Sequence, residues 1–419
     1  MRLRHLLLVL GIVVSIPATG LAAWAPAVRI SPPDSALYSA PDAAVGRAGS
    51  ALVAWVRAPA PGAPGRVQVS WRSGDRARWS RPRVLSRGGA GSPHVAVDAR
   101  GDAAVAWVNG RAIVGAVRRG PDGLWSAARV AAAGGGIQDV RVAMDRMGWP
   151  TILWSERRGG SFVVRLAARR SPRAGWEVRP AQLATPGPTP PALALSEGAG
   201  ALAAWTERGR TRASRTVQGA FEDPVEVSPE VSGSPGVALS PGGAGLAVWG
   251  VGLPGGSTVV LGAGRTAAAT DWAASEDLGI GTAPLAALND RGDAVVAWSL
   301  AGPGAPQGIE ASTRRRGGSW EASAVVPRRA CRCALRVGGV AIDGAGSALV
   351  GWRRDDGAGV GGGGAGAGVA GGTEWQRAVI APGHTVTAPV VAAGGEEGGI
   401  AVWAEEDAGG GVRGATLRR

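Results

Sequence analysis

The stretch P-H-V-A-V-D-A-R-G-D-A-A-V-A-W, from Pro93 to Trp107, is one of eight copies of a pattern in the 419-residue chain. Each copy closes on a tryptophan, and successive tryptophans lie 44 to 54 residues apart. They are Trp55, Trp107, Trp154, Trp205, Trp249, Trp298, Trp352 and Trp403. An alanine stands eleven residues before each, and a glycine stands six residues before it in six copies. Because the copies align without gaps, one structural unit is predicted to repeat along the chain.

This repeated block is predicted to be a β-hairpin. Val95 to Val97 forms a short strand, and Ala103 to Trp107 forms the return strand. Asp98 to Gly101 supplies the turn, because an aspartate can accept a bond from the backbone two residues on and glycine can take a positive φ. Both strands are apolar on successive residues rather than alternate ones. Both of their faces are therefore expected to be covered.

A second aromatic residue follows each of the first seven tryptophans after 16 to 24 residues, at the predicted start of a fourth strand. These residues are Trp79, Trp125, Trp176, Phe221, Trp272, Trp320 and Trp375. A third strand precedes each of them, for example at Val67 to Trp71. Repeats of about 40–50 residues with four strands are typical of β-propeller blades. We therefore predict an all-β fold, a single β-propeller with eight four-stranded blades, with seven blades as the alternative.

The eighth copy has a third strand at Val412 to Leu417 but no aromatic fourth strand after it. Trp24 to Ser31 matches the missing pattern, so the N-terminal strand is predicted to complete the last blade. Ring closure of this kind removes an exposed sheet edge. The predicted bounds are 1–23 for a signal peptide and 24–419 for the propeller, with the closing strand at 24–31 and blades near 41–86, 92–131, 139–184, 190–228, 234–279, 283–327, 337–380 and 388–418.

The first 23 residues have the pattern of a secretory signal peptide. A basic start at Met1 to His5 leads into an apolar run from Leu6 to Pro17, and small residues end at Ala23. No later stretch is long and apolar enough to cross a bilayer. These features predict a secreted, extracellular protein.

Composition adds two constraints. All 45 basic residues are arginine, which we attribute to a codon bias rather than to a ligand, and the net charge is +13. Cys331 and Cys333, the two cysteines, are separated by one residue. In an oxidising compartment they could form a local disulfide, although free thiols or an intermolecular bridge are alternatives. Two such ligands with no histidine near them in sequence make a poor metal site, so no metal and no cofactor is predicted.

The turns between the third and fourth strands carry degenerate motifs such as S-G-D-R-A-R-W at Ser73 to Trp79 and P-D-G-L-W at Pro121 to Trp125. This arrangement resembles the sialidase-like, Asp-box (BNR-type) propellers, whose hallmark turn is S-x-D-x-G-x-x-W. Sialidases of that family use an arginine triad, an acidic proton donor and a Tyr–Glu nucleophile pair. Val28 to Pro32 is similar to the segment that carries the first arginine, but it also matches a fourth strand. Tyr38, the single tyrosine, precedes the first blade instead of lying late in the chain, which departs from the family pattern.

A candidate ligand site follows from the blade geometry. Loops that join blades share one face of a propeller with the loops after each strand-closing tryptophan. On that face the early copies carry polar residues at the start of the inner strand, and three copies carry a glutamate two residues after the tryptophan, at Glu156, Glu207 and Glu405. The predicted ligand-binding residues are Asp42, His94, Arg141, Glu156 and Glu207. Glu156 and Glu207 are the one hint of the paired carboxylates that acid–base chemistry needs, and no catalytic residue is assigned.

The opposite face is predicted to collect arginines. They are Arg72, Arg76, Arg78, Arg100, Arg118, Arg119, Arg146, Arg169, Arg170, Arg173, Arg291 and Arg314 to Arg316. Such a cluster suits an anionic envelope polymer or lipid head groups, or else serves as a solubilising basic rim. No nucleic-acid-binding motif occurs, which argues against nucleic acid as a partner.

Two functions fit these residues. The favoured interpretation is a secreted, non-enzymatic propeller that acts as a binding or scaffold module for a glycan, an envelope component or a protein, and that is a monomer. The alternative is a sialidase-like glycoside hydrolase. Three convergent arginines with a carboxylate pair at the channel mouth would favour the enzyme. A channel lined by alanine, valine and glycine would favour the scaffold.

Overall fold

The computed structural model describes most of the chain beyond the predicted leader. The described residues are 23–46, 49–132, 136–171, 174–179, 183–198, 200–217, 219–228, 230, 233–300, 308–325, 334–355, 361–369, 375–381, 386–394, 398–405 and 410–418. Cys331, Cys333 and Arg173 lie outside them, as does the predicted signal peptide up to residue 22. Within the described part, no helix is long and apolar enough to cross a membrane.

The described strands number 35 and form eight antiparallel sheets. The first four sheets, in chain order, contain β3 Leu37–Val45, β4 Ala51–Ala58, β5 Arg66–Arg72 and β6 Arg83–Val84; β7 Ala90–Val97, β8 Ala103–Asn109, β9 Ala112–Arg118 and β10 Ser126–Ala132; β11 Ile137–Met144, β12 Pro150–Arg158, β13 Ser161–Ala168, β14 Glu177–Val178 and β15 Leu183–Pro186; β16 Ala192–Ser196, β17 Gly200–Glu207, β18 Arg210–Val217, β19 Ala220–Phe221 and β20 Val225–Glu226.

The remaining four sheets contain β21 Gly236–Leu239, β22 Gly245–Gly252, β23 Thr258–Arg265 and β24 Glu276–Ile280; β25 Thr282–Leu288, β26 Ala294–Ser299, β27 Ile309–Arg314 and β28 Ala324–Val325; β29 Ala334–Ile342, β30 Ser347–Asp355, β31 Gly361–Val369 and β32 Trp375–Ala381; β33 Val390–Ala393, β34 Gly399–Ala404 and β35 Val412–Arg418 with β1 Ala23–Trp24 and β2 Val28–Arg29.

The inner strands of these sheets contact one another in a closed circle. It runs from β3 through β7, β11, β16, β21, β25 and β29 to β33, which contacts β3 again. Each sheet is a meander that leads outward from its inner strand. The prediction of a single all-β propeller is therefore confirmed.

The eighth sheet combines the two ends of the chain. Trp24 is opposite Leu417 and Val28 is opposite Gly414, both on the outer side of β35. The backbone N–H of Ile30 donates to Val412 O at 2.8 Å, which extends this pairing. The N-terminal segment thus occupies the outer edge of a sheet whose other three strands come from the C-terminus.

The hydrophobic core lies between neighbouring sheets. Seven of the eight repeat tryptophans are at most 1% exposed, and Trp352 is 5% exposed. Trp107, for example, packs in one cluster with Leu52 and Val67 of the first sheet. Because the same position is buried in every sheet, the repeated tryptophan holds each sheet against the one before it. At about 25 cal/mol per Å², burial of an indole of about 150–250 Å² contributes several kcal/mol as an upper estimate.

The turn between the first and second strands repeats as predicted. Asp98 Oδ1 accepts bonds of 2.9 Å from the backbone N–H groups of Arg100 and Asp102. Asp343 does the same for Ala345 and Ser347 at 2.9 and 2.8 Å. The glycine that follows takes a positive φ, for example 81° at Gly101. Capping of the turn accounts for the aspartates at this position of the repeat.

One expectation about strands is corrected. In some sheets the fourth strand is shorter than predicted and begins after its aromatic residue, as in β6, where Pro82 removes a backbone donor just before the strand. Within the glycine-rich stretch, Gly361–Val369 forms β31, which is paired on both sides. These two neighbouring strands satisfy its backbone hydrogen-bonding groups.

The ring has two faces, which we name by the connections they carry. The linker face carries the connections between sheets and the loops between second and third strands. The turn face carries the turns between first and second strands and those between third and fourth strands. The alternation follows from the antiparallel order of every sheet.

Candidate functional site

One position on the inner strand recurs near the linker face of every sheet, directly opposite the residue that precedes the buried tryptophan. We name it the ring position. Its eight residues are Asp42, His94, Arg141, Ala192, Gly236, Leu285, Gly339 and Val390. Three successive sheets therefore place charged or titratable side chains where the other five place apolar residues or glycine.

The structure brings the three polar residues together. His94 Nδ1 lies 3.3 Å from Asp42 Oδ2 and 3.2 Å from Arg141 Nη1. The backbone N–H of Val95 also donates to Asp42 Oδ2, at 2.9 Å. Arg141 in turn lies 3.1 Å from Asp139 Oδ2. We name these four side chains, Asp42, His94, Asp139 and Arg141, the polar arc.

The shared ring nitrogen gives the arc two hydrogen-bonding states. With a proton on Nδ1, His94 donates to Asp42, whereas without it the same atom accepts from Arg141. A ligand that bonds to one neighbour can therefore shift the imidazole toward the other. The side chains of Asp42 and His94 are 20% and 21% exposed, and that of Arg141 is 41% exposed. They are held in place and still reach solvent.

The carboxylate of Asp42 is a fixed negative charge. Burial by itself would raise its pKa, but the hydrogen bond and charge of His94, the N–H of Val95 and the charge of Arg141 outweigh burial. The pKa is therefore lowered from the ordinary value of 3.8. Asp42 is ionised at neutral pH and can accept hydrogen bonds but not donate a proton.

A β-bulge precedes the arc residues and aims them. The register shifts between Ser39 and Asp42 in the first sheet and between Gly91 and His94 in the second. Ala40 and Ser92 take positive φ values of 46° and 47° at these bulges, which for residues other than glycine costs about 1–3 kcal/mol each. Bulges of this kind often redirect side chains beside functional sites.

Proline marks the same place in the sequence. It directly precedes the ring position in six sheets, at Pro41, Pro93, Pro191, Pro235, Pro284 and Pro389. Since proline has no N–H, it suits a place where the ladder is interrupted. This repeated proline was a signal in the sequence that the hairpin interpretation did not use.

Glu156 and Glu207 form ion pairs inside their own sheets instead of joining the polar arc. Glu156 is completely buried, with Oε1 2.7 Å from Arg158 and 3.6 Å from Arg165. Glu207 lies 3.7 Å from Arg212. The predicted ligand contact of Glu156 is therefore corrected, because a carboxylate with no exposed surface is out of reach of a ligand.

The same pair recurs in the eighth sheet, between Glu405 and Arg413 at 2.5 Å. In all three cases the glutamate stands two residues after the buried tryptophan, and a third-strand arginine opposite that tryptophan faces it. Because the pair recurs, we interpret these glutamates as structural residues that stabilise their own sheets. The arginine on the third strand was the feature of the sequence that could have predicted these ion pairs.

Sequence reasoning missed Asp34, which organises a second polar cluster on the linker face. Tyr38 donates its hydroxyl to Asp34 Oδ1 at 2.6 Å, and Arg57 Nη2 lies 2.6 Å from Asp34 Oδ2. Burial and the bond to Asp34 raise the pKa of Tyr38, so the phenol stays protonated at neutral pH. Burial would raise the pKa of Asp34, but the bonds from Tyr38 and Arg57 outweigh it and lower that pKa.

Several arginines predicted to form a basic rim are instead packed between sheets on the turn face. Arg118 is buried between the rings of Trp71 and Trp125, with Cζ 4.5 and 5.4 Å from their centroids. Burial lowers its pKa to about 10, against the opposing charges of Asp122 and Asp102. Its guanidinium joins the second sheet to Trp71 of the first.

Arginines at the equivalent end of the third strand make the same link elsewhere. Arg72 Nη1 donates to Thr416 at 2.9 Å, Arg265 lies 3.1 Å from Glu222, and Arg314 lies 3.0 Å from Glu276. In each case the partner belongs to the preceding sheet. We name Arg72, Arg118, Arg265 and Arg314 the bridging arginines. Arg76, Arg78, Arg100, Arg146, Arg170, Arg291, Arg315 and Arg316 are exposed, as expected for a basic face.

A metal centre finds no support among the described residues. No group of three or more histidine, cysteine, aspartate or glutamate side chains in that part of the chain could hold a metal ion. The side chains of the polar arc instead contact one another.

No protein-family model matches the chain, and no curated protein matches it. Among solved structures, an ulvan lyase bound to a glucuronate–sulfated rhamnose unit is 10% identical, with a TM-score of 0.49, and the match covers 93% of this chain and 96% of that one. A Hadza microbial sialidase is 14% identical with a TM-score of 0.38, covering 62% and 63%. The six-bladed fucose-recognising lectin of Aleuria aurantia is 13% identical with a TM-score of 0.40, covering 70% and 96%. At these values no function follows from the likeness, and the chain's own sheets identify it as an all-β propeller.

Proposed function

We propose that this protein is a non-enzymatic binding module that takes a glycan at the polar arc. The observation that carries the proposal is the convergence of Asp42, His94 and Arg141 from three neighbouring sheets. The five other ring positions are apolar or glycine. Ligand sites commonly combine an apolar wall with a few convergent polar groups. The arc has that composition and is partly open to solvent.

The chemistry of the arc suits a ligand rich in hydroxyl groups. Asp42 accepts hydrogen bonds, Arg141 donates them, and His94 does either according to its protonation. Sugar hydroxyls donate and accept at once, so adjacent hydroxyls can be held between an anionic acceptor and a cationic donor. Bonds to charged groups contribute about 1.5–3 kcal/mol each, which makes a small arc sufficient for a weak, specific site.

The alternative, sialidase-like glycoside hydrolysis, is less consistent with these groups. A glycosidase needs a carboxylic acid whose pKa is raised enough to donate a proton near neutral pH. The pKa of Asp42 is lowered instead. The raised pKa of Tyr38 also opposes a role as an anionic nucleophile.

A glycan array probed with the purified protein tests the proposal. We expect saccharide signals that are lost in the triple variant Asp42→Asn/His94→Ala/Arg141→Met and retained in Leu285→Ala, which alters a ring position outside the arc. Signals that persist in the triple variant would place the site elsewhere. Release of a chromogenic aglycone from aryl glycosides, abolished by the same triple variant, would favour the hydrolase.

We further propose that all eight sheets act as blades of one ring, with the N-terminal strand as the outer strand of the last blade. The eight sheets, their closed circle of contacts and the pairing of Val28 with Gly414 support this over seven blades. Class averages from electron microscopy that display seven spokes would contradict it. The degenerate turns before Trp79 and Trp125 support kinship with Asp-box propellers.

We also propose that the mature protein is secreted as a monomer that begins at Trp24. The basic start, the apolar run and the small residues before Trp24 support export. Cleavage there leaves Trp24 available to pair with Leu417. N-terminal sequencing of protein from the culture medium should begin at Trp24, and its mass in solution should match one chain.

A further inference from the structure

A groove of about 230 Å³ lies between the third and fourth sheets on the turn face. The third sheet contributes Asp145, Ala168, Arg170 and Arg179, and the fourth contributes Thr216 together with small residues such as Gly219. This is smaller than the ~300–1,000 Å³ of pockets that enclose a drug-sized ligand. It suits one chemical group or a single sugar residue. The polar arc lies toward the other face of the ring.

The groove exists because two repeated side chains are missing. Between the first and second sheets, Trp71 and Arg118 stack and fill the equivalent space. Ala168 stands at the position of Trp71, since each faces the residue three before the buried tryptophan. Thr216 stands at the position of Arg118, and its Oγ1 accepts a bond of 2.8 Å from the N–H of Ala201. Small residues on both sides leave the space open.

The charge in the groove is unbalanced. Arg170 and Arg179 line it, against one carboxylate among the described lining residues, that of Asp145. Asp145 Oδ1 already accepts bonds of 2.8 and 2.7 Å from the N–H groups of Met147 and Trp149. Within the described part of the chain, neither guanidinium has a hydrogen-bonding or ion-pair partner, in contrast to the bridging arginines.

Of the two arginines, Arg179 is better placed to donate hydrogen bonds to a ligand in the groove. Its Nε has almost no accessible surface and no hydrogen-bond partner among the described residues. A Cβ built on Gly219 would lie 3.8 Å from its Cζ, so the glycine gives the guanidinium room. A buried donor without a partner is costly unless a ligand supplies the acceptor. A planar guanidinium matches the geometry of an oxyanion.

We infer that this groove is a binding site for the oxyanion group of a ligand, a carboxylate, sulfate or phosphate held by Arg170 and Arg179. The site is separate from the polar arc and does not depend on the proposed glycan binding there. Its open shape admits a charged group carried on a larger molecule, such as an acidic saccharide.

Isothermal titration with sodium glucuronate, sodium sulfate and sodium phosphate at constant ionic strength tests the site. We expect saturable binding of at least one of the three to the wild-type protein. Affinity should fall at least tenfold in Arg170→Gln/Arg179→Gln and in Ala168→Leu, which adds bulk without charge. The control Arg76→Gln/Arg78→Gln removes the same charge from exposed arginines of the same face and should bind as the wild type does.

The three titrations distinguish which kind of oxyanion the groove binds. A preference for glucuronate identifies a carboxylated sugar, whereas a preference for sulfate or phosphate identifies a tetrahedral group. No saturable binding of any of the three overturns the inference. Equal binding by Arg170→Gln/Arg179→Gln and the control overturns it too, since the effect is then general electrostatics. Arc variants such as Asp42→Asn should retain this binding.

Discussion

The boundary between the first and second sheets and the boundary between the third and fourth are formed by equivalent strands of the repeat. The side chains at the two boundaries differ. The first is linked near both faces, by Asp42 with His94 near the linker face and by Trp71 with Arg118 on the turn face. The other has Ala192 at the ring position and an open groove between Ala168 and Thr216. A repeat therefore fixes where sheets meet, while a few side chains decide whether a boundary is closed or open.

The largest effect is expected from Arg118→Ala. It removes the guanidinium between Trp71 and Trp125 and leaves a gap at the closed boundary, so the free energy of unfolding should fall by about 2–3 kcal/mol. Urea unfolding followed by tryptophan fluorescence measures it. Arg76→Ala, an exposed arginine nearby, should change that free energy by less than about 0.5 kcal/mol. Equal losses in the two variants would mean that Arg118 does not link the sheets.

Asp42→Asn should lower the free energy of unfolding at pH 7 by about 1–2 kcal/mol, through the bonds of Asp42 to His94 and Val95. Because folding lowers the pKa of Asp42, its stabilisation is present above the ordinary pKa and is lost as pH falls through the lower, folded value. The difference between wild type and variant should therefore shrink below about pH 4. A difference that stays constant from pH 7 to pH 3 would contradict this assignment.

Thr216→Arg places a bridging arginine at the open boundary. Loss of the bond to Ala201 and the proximity of Arg170 and Arg179 should lower the free energy of unfolding by about 1 kcal/mol. The same substitution should occupy the groove and abolish oxyanion binding by titration. A variant that keeps wild-type binding would show that the missing bridging arginine is not what opens the groove.

The smallest effect is expected from Arg179→Gln. Since Arg179 makes no ion pair in the described residues, the free energy of unfolding should change by no more than about 0.5 kcal/mol. Thermal unfolding in low-salt buffer without oxyanions measures it. A loss comparable to that of Arg118→Ala would show that Arg179 bridges the sheets after all.

Much of the fold could be predicted from the sequence, because the information is local. The tryptophans, the capped turns and the glycines lie within one hairpin, so their spacing reports the strands directly. Asp42, His94 and Arg141 could also be placed together, since an identical register puts equivalent residues of neighbouring sheets side by side. This part of the candidate site needed only the repeat.

The remaining features depend on contacts between sheets and on burial. Arg118 was predicted to lie on the basic face, but Trp71 of the preceding sheet packs against its guanidinium and buries it. Glu156 was predicted to contact a ligand. Instead Arg165, which lies on the third strand opposite Trp154, forms an ion pair with Glu156 inside the sheet. The groove beside Thr216 could not be predicted, because it results from the absence of a large side chain at two positions, Ala168 and Thr216. The contacts of Arg118 and the groove each involve two sheets, so neither has a signature within one copy of the repeat. The ion pair of Glu156 does have such a signature, the arginine on the third strand.

The most direct test of the central claim compares two positions of one ring. The glycan with the strongest array signal is titrated by calorimetry into wild type, His94→Ala and Leu285→Ala. If the polar arc binds the ligand, affinity falls at least tenfold for His94→Ala and stays within twofold of wild type for Leu285→Ala. Equal affinities for the two variants would contradict the account.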